Sequence, residues 1–197
     1  MATDEGLREL KKRRTRREIV VATLELSLEG SYRQTTIPMI AERAMVSPRT
    51  VSTYFPNKDD IPFDGSDEVF ENLAARLEET DKPLVERLRL WIADRGDAQE
   101  GDLVALRGQA ITQDPDLQLI EHRYLDRFAE LIAASVAAEL GAAPQDAGPQ
   151  TFAAAVLGIL LSLRKRLPDG QKKRKEPEPA LEAGFEFLEA GLDALRR

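Results

Sequence analysis

The segment VSPRTVSTYFPNK, residues 46–58, combines hydrogen-bonding and cationic side chains without a single carboxylate. Four Ser and Thr hydroxyls and one guanidinium precede Phe55, although the whole chain carries a formal net charge of −7. Such groups bind phosphate oxygens and the edges of bases, whereas a carboxylate at the same place is repelled by a phosphate backbone. The residue types in this segment therefore favour contact with a nucleic acid.

Local signals in the same segment predict a short helix. Ser47 is a favourable N-cap, and Pro48 falls at the first helical position, where its missing N–H leaves no hydrogen bond unmade. Pro56 ends the helix. With Val51 and Phe55 turned inward, four polar side chains are left on the outer face: Arg49, Thr50, Ser52 and Thr53.

A second short helix is predicted just before this one. Thr36 is a suitable N-cap, and apolar residues follow it with the spacing of one buried helical stripe: Ile37, Ile40, Ala41 and Ala44. Two short helices joined by the turn AMVS have the form of a helix-turn-helix, whose second helix enters the major groove of DNA. The sequence therefore predicts double-stranded DNA as a partner.

Residues 15–61, TRREIVVATLELSLEGSYRQTTIPMIAERAMVSPRTVSTYFPNKDDI, resemble the DNA-binding domain of the TetR family of bacterial one-component repressors. The resemblance covers about the first third of the chain, and TTIPMIAERAMVS and TYFPNKDDI are its most distinctive parts. It implies a three-helix DNA-binding head, a helical ligand-binding and dimerisation body, and control of transcription by a small molecule. We expect the head and its basic N-terminal arm in residues 1–58 and the body in residues 59–197.

The resemblance also implies roles for individual residues. It places Thr36, Tyr54 and Lys58 on phosphates, with Lys58 at the start of a fourth helix that runs into the body. It places three residues near bases: Arg49, Thr50 and Thr53. Ser47 and Ser52, on the same predicted helix, complete the expected set of contacts in this region.

Two positions depart from the pattern of the family. The family usually has Gly in the turn where this chain has Met45, and a non-Gly residue held at positive φ is strained. We therefore expect a slightly altered turn. The family also often has an aromatic residue at the position of Ser52, so one phosphate or packing contact is expected to be missing.

A basic run, KKRRTRR at residues 11–17, holds six cations and precedes the first predicted helix. We expect an arm that lies along phosphates or reaches into the minor groove, with Arg14 and Arg17 among its contacts. A solvated tail is the alternative. A second basic run at residues 164–179 is rich in Pro and charge and is expected to form a loop.

Charge is divided unequally along the chain. Residues 1–58 hold 11 Lys and Arg against 7 Asp and Glu, whereas residues 59–197 hold 17 against 28. This asymmetry is typical of a front segment that meets a polyanion. The chain has no Cys, which excludes disulfides, thiolate metal sites and Cys nucleophiles. We predict no metal and no cofactor.

The helical period dominates the sequence, and we predict an all-α fold of about nine helices. The first is expected at residues 15–29, and those after the head are expected at residues 66–79, 83–95, 101–113, 115–140, 150–167 and 178–196. The apolar run at residues 152–163 is shorter than the ~20 residues that cross a bilayer, so it predicts a buried helix. The first residues lack the apolar region of a secretory signal, so we expect a cytoplasmic protein without a membrane partner.

The last predicted helix repeats large apolar residues at alternating steps of four and three, the pattern of a helix-packing seam. Its expected partner, the helix containing residues 152–163, is apolar on nearly every side. We predict a homodimer with a four-helix interface across a two-fold axis; an intramolecular core is the alternative. The expected interface residues are Phe152, Val156, Leu160, Leu163, Leu181, Phe185, Leu188 and Leu192.

The helices between residues 66 and 140 carry more large apolar residues than a spacer requires, which favours a pocket for an apolar small-molecule effector. A solid core is the alternative. We expect Gln109, His122 and Tyr124 to orient the ligand. The apolar lining is predicted to be Phe70, Leu73, Leu77, Trp91, Leu106 and Phe128.

An enzyme is the competing class of protein. His122 is the only His, and Glu121 and Asp126 lie near it in the sequence. A single His on a helix with apolar neighbours more often forms a core or pocket hydrogen bond, and the sequence contains no P-loop, dinucleotide-binding glycines or nucleophile elbow. We therefore predict a regulator rather than an enzyme. A DNA-binding or architectural protein without a ligand remains the alternative within that class.

Overall fold

The computed structural model describes residues 4–95, 101–166 and 179–196. Within these ranges the chain forms nine α-helices and no strand, which confirms the predicted all-α fold. The helices are α1 Asp4–Glu29, α2 Ile37–Arg43, α3 Pro48–Tyr54, α4 Ser66–Leu77, α5 Leu84–Arg95, α6 Gly101–Gln113, α7 Pro115–Leu140, α8 Ala147–Arg166 and α9 Pro179–Leu195. A 3-10 turn, Lys58–Asp60, follows α3.

Contacts divide the chain into two compact units. The first consists of Met1–Asp64 with Leu103–Glu121, and the second of Gly65–Asp102 with His122–Arg197. The first unit thus contains a segment from α6 and α7, Leu103–Glu121, that lies within the predicted body. The functional boundary at residue 58 stays a prediction.

The first unit is built on α1, α2 and α3, where α1 packs on α2 and α2 packs on α3. Ile19 and Leu24 of α1, Ile40 of α2, and Val51 and Phe55 of the α3 region are all buried. Ile40, Val51 and Phe55 are among the positions that the sequence placed inward, and burial of apolar area stabilises the packing of the three helices.

Two helix boundaries differ from the predictions. Helix α1 begins at Asp4 rather than at residue 15, so the basic run is helical and not a separate arm. The residues before Thr15 are mainly Leu, Glu, Lys and Arg, which have high helix propensity. No α-helix begins at Lys58, where the resemblance implied one; α4 begins at Ser66, as the helical period predicted, because Pro62 and the left-handed Gly65 (φ 84°) separate it from the 3-10 turn.

The second unit contains one apolar core to which α4, α5, α7, α8 and α9 all contribute. Helix α4 packs on α5, and α9 packs on both α5 and α8. A Cβ built on Gly184 would lie 2.9 Å from Ile159 Cγ2. The close approach of α8 and α9 therefore depends on the missing side chain at Gly184.

The predicted dimer residues lie mainly in this core, and their assignment to an interface between chains stays a prediction. Five of them are buried within a single chain: Phe152, Val156, Phe185, Leu188 and Leu192. Leu160 and Leu181 are half-buried and pack against the same core, and the side chain of Leu163 lies outside the described residues. The apolar seam of α9 is covered by α5 and α8 of its own chain.

Candidate nucleic-acid interface

Helix α3 is fixed at its start by hydrogen bonds among its own hydroxyl groups. Ser47 Oγ accepts from the N–H of Thr50 at 3.0 Å, which confirms the predicted N-cap, and shares a 2.8 Å hydrogen bond with Thr50 Oγ1. Thr53 Oγ1 donates to the carbonyl of Arg49 at 2.8 Å. Thr53 therefore presents the acceptor lone pairs of its hydroxyl oxygen and its γ-methyl group to solvent.

The ten predicted DNA-binding residues all belong to the first compact unit. Seven are exposed: Arg14, Arg17, Thr36, Ser47, Arg49, Ser52 and Thr53. The other three are half-buried: Thr50, Tyr54 and Lys58. Because α3 contains no acidic residue, its outer face presents only donors, hydroxyl oxygens and methyl groups.

The turn between α2 and α3 keeps the left-handed conformation that a Gly usually adopts, so the altered turn expected from the sequence does not form. Met45 has a φ of 54° and is 91% exposed. Its N–H donates to the carbonyl of Glu42 at 3.1 Å, and the N–H of Val46 donates to the carbonyl of Ala41 at 2.9 Å. These bonds close the end of α2 in the way that a left-handed Gly usually does.

Lys58 has a structural role that the sequence did not reveal. Its Nζ donates to the carbonyls of Tyr32 at 3.1 Å and Thr35 at 2.9 Å, and it lies 4.2 Å from the centroid of the Tyr32 ring. An ammonium group has three donors, and these bonds occupy two of them. The residue therefore holds the loop between α1 and α2, and its phosphate contact stays a prediction.

An open groove lies where the first turns of α1 face the end of α3. It is lined by Arg8, Glu9, Lys11, Lys12, Thr15 and Tyr54. Positions 8, 11, 12 and 15 share one face of a helix, so three cations point toward the side of Tyr54. Arg14 and Arg17, the residues of this run that the sequence predicts on DNA, do not line the groove; only the continuous helix shows which face of the run meets Tyr54.

Arg14 and Arg16 are held by partners within the chain. Arg14 Nε donates to Glu18 at 2.8 Å. Arg16 Nε donates to Asp64 Oδ1 at 2.7 Å, its Nη1 donates to the carbonyl of Tyr54 at 3.2 Å, and its guanidinium stacks on the Phe55 ring at 4.4 Å. Arg16 thus ties α1 to the C-terminal end of α3, a role that no local pattern indicates.

The predicted ligand residues are divided between the two units. Leu106 and Gln109 belong to the first unit, and the other seven belong to the second. Within the second unit three fill the core: Leu73, Leu77 and Trp91. Phe70 and Phe128 are half-buried and meet edge to face with centroids 5.5 Å apart.

The three polar residues expected to orient a ligand have different environments. Gln109 and His122 are exposed, and Tyr124 is half-buried. Among the described residues, no three His, Asp or Glu side chains are grouped so that they could hold a metal ion. In the same ranges, none of the helices has both the length and the apolar character needed to span a bilayer.

Two family models match the chain. The model described as "Bacterial regulatory proteins, tetR family" matches residues 19–62, and the model described as "MftR C-terminal domain" matches residues 83–193. Together they cover most of the chain. The family consists of DNA-binding transcriptional regulators and not of enzymes.

Two named relatives are similar in sequence. The HTH-type transcriptional regulator TcmR of Streptomyces glaucescens is 33% identical over 106 residues, which is 52% of this chain and only 47% of TcmR. MftR of Mycobacterium tuberculosis, named "Putative mycofactocin biosynthesis transcriptional regulator", is 28% identical over 179 residues, which is 88% of this chain and 89% of MftR.

Solved structures share the fold at low sequence identity. NalD of Pseudomonas aeruginosa, the secondary repressor of the MexAB-OprM multidrug efflux pump, has a TM-score of 0.61 at 20% identity over 92% of this chain and 96% of NalD. FadR of Thermus thermophilus, a transcriptional repressor solved with lauroyl-CoA, has a TM-score of 0.51 at 23% identity over 91% of this chain and 92% of FadR. From the helix-turn-helix geometry and the two family models, we conclude that this chain belongs to the TetR family of transcriptional regulators.

Proposed function

We propose that this regulator represses transcription by binding an inverted-repeat operator as a homodimer, and that an apolar small molecule releases it from DNA. The observation that carries the proposal is the outer face of α3, where Arg49, Ser52 and Thr53 are exposed on a helix without any acid. Such a face fits the major groove, where a guanidinium binds guanine and hydroxyl or methyl groups contact other bases.

Phosphate binding would be supplied by the elements around α3. The groove that contains Arg8, Lys11 and Lys12 beside Tyr54 has the charge and the hydrogen-bonding groups to hold the DNA backbone. Thr36, at the exposed start of α2, offers another contact of this kind. These contacts would add affinity for any sequence, whereas α3 would select the operator.

A homodimer would place two copies of α3 at half-sites ~34 Å apart or at a multiple of that distance. Because the seam of α9 is buried, we propose that the partner covers the opposite, exposed face of α9. Phe187 on this face is 64% exposed. It lies in a stripe of exposed apolar residues at steps of four, three and four: Ala183, Phe187, Ala190 and Ala194.

An effector is proposed to bind within the second compact unit, where aromatic residues such as Phe70 and Phe128 are only half-buried. FadR, which shares the fold, was solved with lauroyl-CoA, so fatty acyl compounds belong in a test panel. To shift a 99:1 population in favour of DNA binding to 1:99, the effector must prefer the released state by about 5.5 kcal/mol.

Two observations favour a second candidate, a regulator that responds to no small molecule. Leu73, Leu77 and Trp91, expected to line the pocket, are packed in the core of the second unit. Two residues expected to orient the ligand, Gln109 and His122, are exposed to solvent. A panel of acyl, aromatic and drug-like compounds separates the two candidates. A ligand-responsive repressor requires a compound that both raises the melting temperature of the protein and releases it from operator DNA.

The test of DNA recognition begins with a footprint on the promoter beside the protein's own gene, followed by titration of the protected duplex. Arg49→Ala should weaken operator binding by about 1–3 kcal/mol and reduce the preference over unrelated DNA. Lys12→Ala should weaken binding to all sequences and lower the salt slope by about 1. Arg123→Ala, which removes the same charge from an exposed position of α7, is the control for Arg49.

Each outcome bears on one assignment. If Arg49→Ala keeps wild-type preference for the operator, α3 does not read the bases. If Lys12→Ala keeps the wild-type salt slope, the groove does not hold phosphate. A footprint without any protected site refutes the proposed function as a whole.

A further inference from the structure

Asp114 lies between α6 and α7 and is only 4% exposed. Its Oδ1 accepts from the N–H groups of Asp116 at 2.9 Å and Leu117 at 3.2 Å, which caps the start of α7. Its Oδ2 accepts from the N–H of Tyr32, a residue 82 positions earlier in the chain. One buried carboxylate therefore joins the start of α7 to the loop between α1 and α2.

The same loop is held from another direction by Lys58. Lys58 Nζ donates to the carbonyl of Tyr32, while Asp114 accepts from its N–H, so two charged side chains bind opposite ends of one residue's backbone. The Tyr32 hydroxyl also donates to Asp59 Oδ1 at 3.0 Å. The loop ends at Thr36, whose hydroxyl caps α2. Its position therefore sets the start of the helix-turn-helix.

A carboxylate at residue 114 does more than a helix cap requires. Ser, Thr or Asn can also cap a helix, because each offers one side-chain oxygen to the first N–H groups. Only a carboxylate offers a second acceptor oxygen in the same plane, and an Asn would direct an NH2 group at the N–H of Tyr32. The second oxygen is needed for the loop and not for α7.

We propose that Asp114 is a positioning residue for DNA binding, which fixes the α1–α2 loop and, through it, the start of α2 and the phosphate-binding position of Thr36. This inference rests on the proposed function. Asp114 and the DNA-binding helices belong to the same compact unit, although 59 positions separate Asp114 from Phe55 at the end of α3. Operator affinity thus depends on the corner between α6 and α7, which does not touch DNA bases in this proposal.

Two substitutions separate the loop contact from the cap. Asp114→Asn keeps an oxygen for the cap of α7 and turns an amide toward Tyr32, whereas Asp114→Ser keeps a capping hydroxyl that is too short to reach the loop. Asp116→Asn is the control, since it removes the same charge two residues away in the first turn of α7. All three variants are made in the full chain and compared with wild type.

The measurements are operator affinity at several salt concentrations, thermal unfolding, and hydrogen exchange of the amides in residues 31–36. Loss of one buried hydrogen bond should weaken operator binding about tenfold in both Asp114 variants. The salt slope should stay unchanged, because no phosphate contact is removed. The Tyr32 amide should exchange slowly in wild type and quickly in both variants, while Asp116→Asn should match wild type.

The outcomes distinguish this inference from the proposed function. Wild-type affinity in folded Asp114 variants, or an equal loss in Asp116→Asn, would overturn the positioning role. Rapid exchange of the Tyr32 amide in wild type would overturn it too, and this measurement does not depend on whether the variants fold. If wild type binds no operator while its Tyr32 amide is protected, the proposed function fails and the loop contact stands as architecture alone.

Discussion

Replacing Met45 by Gly should stabilise the protein, although it removes a side chain. Met45 has a φ of 54°, and the left-handed conformation costs an L-residue about 1–2 kcal/mol. Gly avoids this cost but loses more backbone entropy on folding, by about 0.5–1 kcal/mol. Because the side chain is 91% exposed, almost no burial is lost. The net gain should be about 0.5–1 kcal/mol.

The gain can be measured by chemical and thermal unfolding of the full chain. For a protein of this size, 1 kcal/mol corresponds to a rise in Tm of about 2–4 °C. Met45→Ala is the matched control, since it removes the side chain and keeps a Cβ at the strained position; its stability should stay within about 0.5 kcal/mol of wild type. Equal stabilisation by Ala and Gly would refute the argument from strain, because backbone conformation would then not be the cause.

Three further predictions concern helix α9 and the ion pair between α1 and α2. Gly184→Ala should destabilise the chain by about 1 kcal/mol in urea unfolding, because overpacking against Ile159 outweighs the gain in helix propensity. Gly191→Ala on the same helix is the control: its Cβ meets no atom within 4 Å, so it should stabilise the chain by about 1 kcal/mol. Phe187→Glu should give folded monomers by sedimentation and abolish operator binding; a variant that remains dimeric would refute the proposed partner surface. The hydrogen bond from Arg43 lowers the pKa of Glu29 from its ordinary value of 4.5. Glu29→Gln should therefore reduce the free energy of unfolding at neutral pH. The difference from wild type should disappear as the pH falls through the lowered pKa.

The parts of the fold that depend on neighbours in sequence could be predicted. Thr36 and Ser47 are the N-caps that their residue types indicate, and Pro48 begins α3 as expected. The strain at Met45 followed from comparison with a family that prefers Gly there. Each of these signals acts within one helical turn, where residue type alone determines the available hydrogen bonds and dihedral angles.

The parts that depend on distant residues could not be predicted. The α9 pattern indicates a buried seam, but it does not tell whether the cover comes from the same chain or from a partner, and Leu188 proved to be in the core of its own chain. The partners of Arg16, Lys58 and Asp114 lie 48, 26 and 82 residues away. Local periodicity contains no information about contacts at such separations.

The continuous helix α1 changes the thermodynamics expected for the basic run. A flexible arm that becomes ordered on DNA must lose backbone conformational entropy worth about 1–2 kcal/mol per residue. If it orders as a helix, the helical signal in far-ultraviolet circular dichroism rises on binding. Arg8, Lys11 and Lys12 are already helical in the free chain. In the proposed function their cations would therefore meet the phosphates on a helix that is already formed, and operator binding should leave the far-ultraviolet circular dichroism of the protein nearly unchanged.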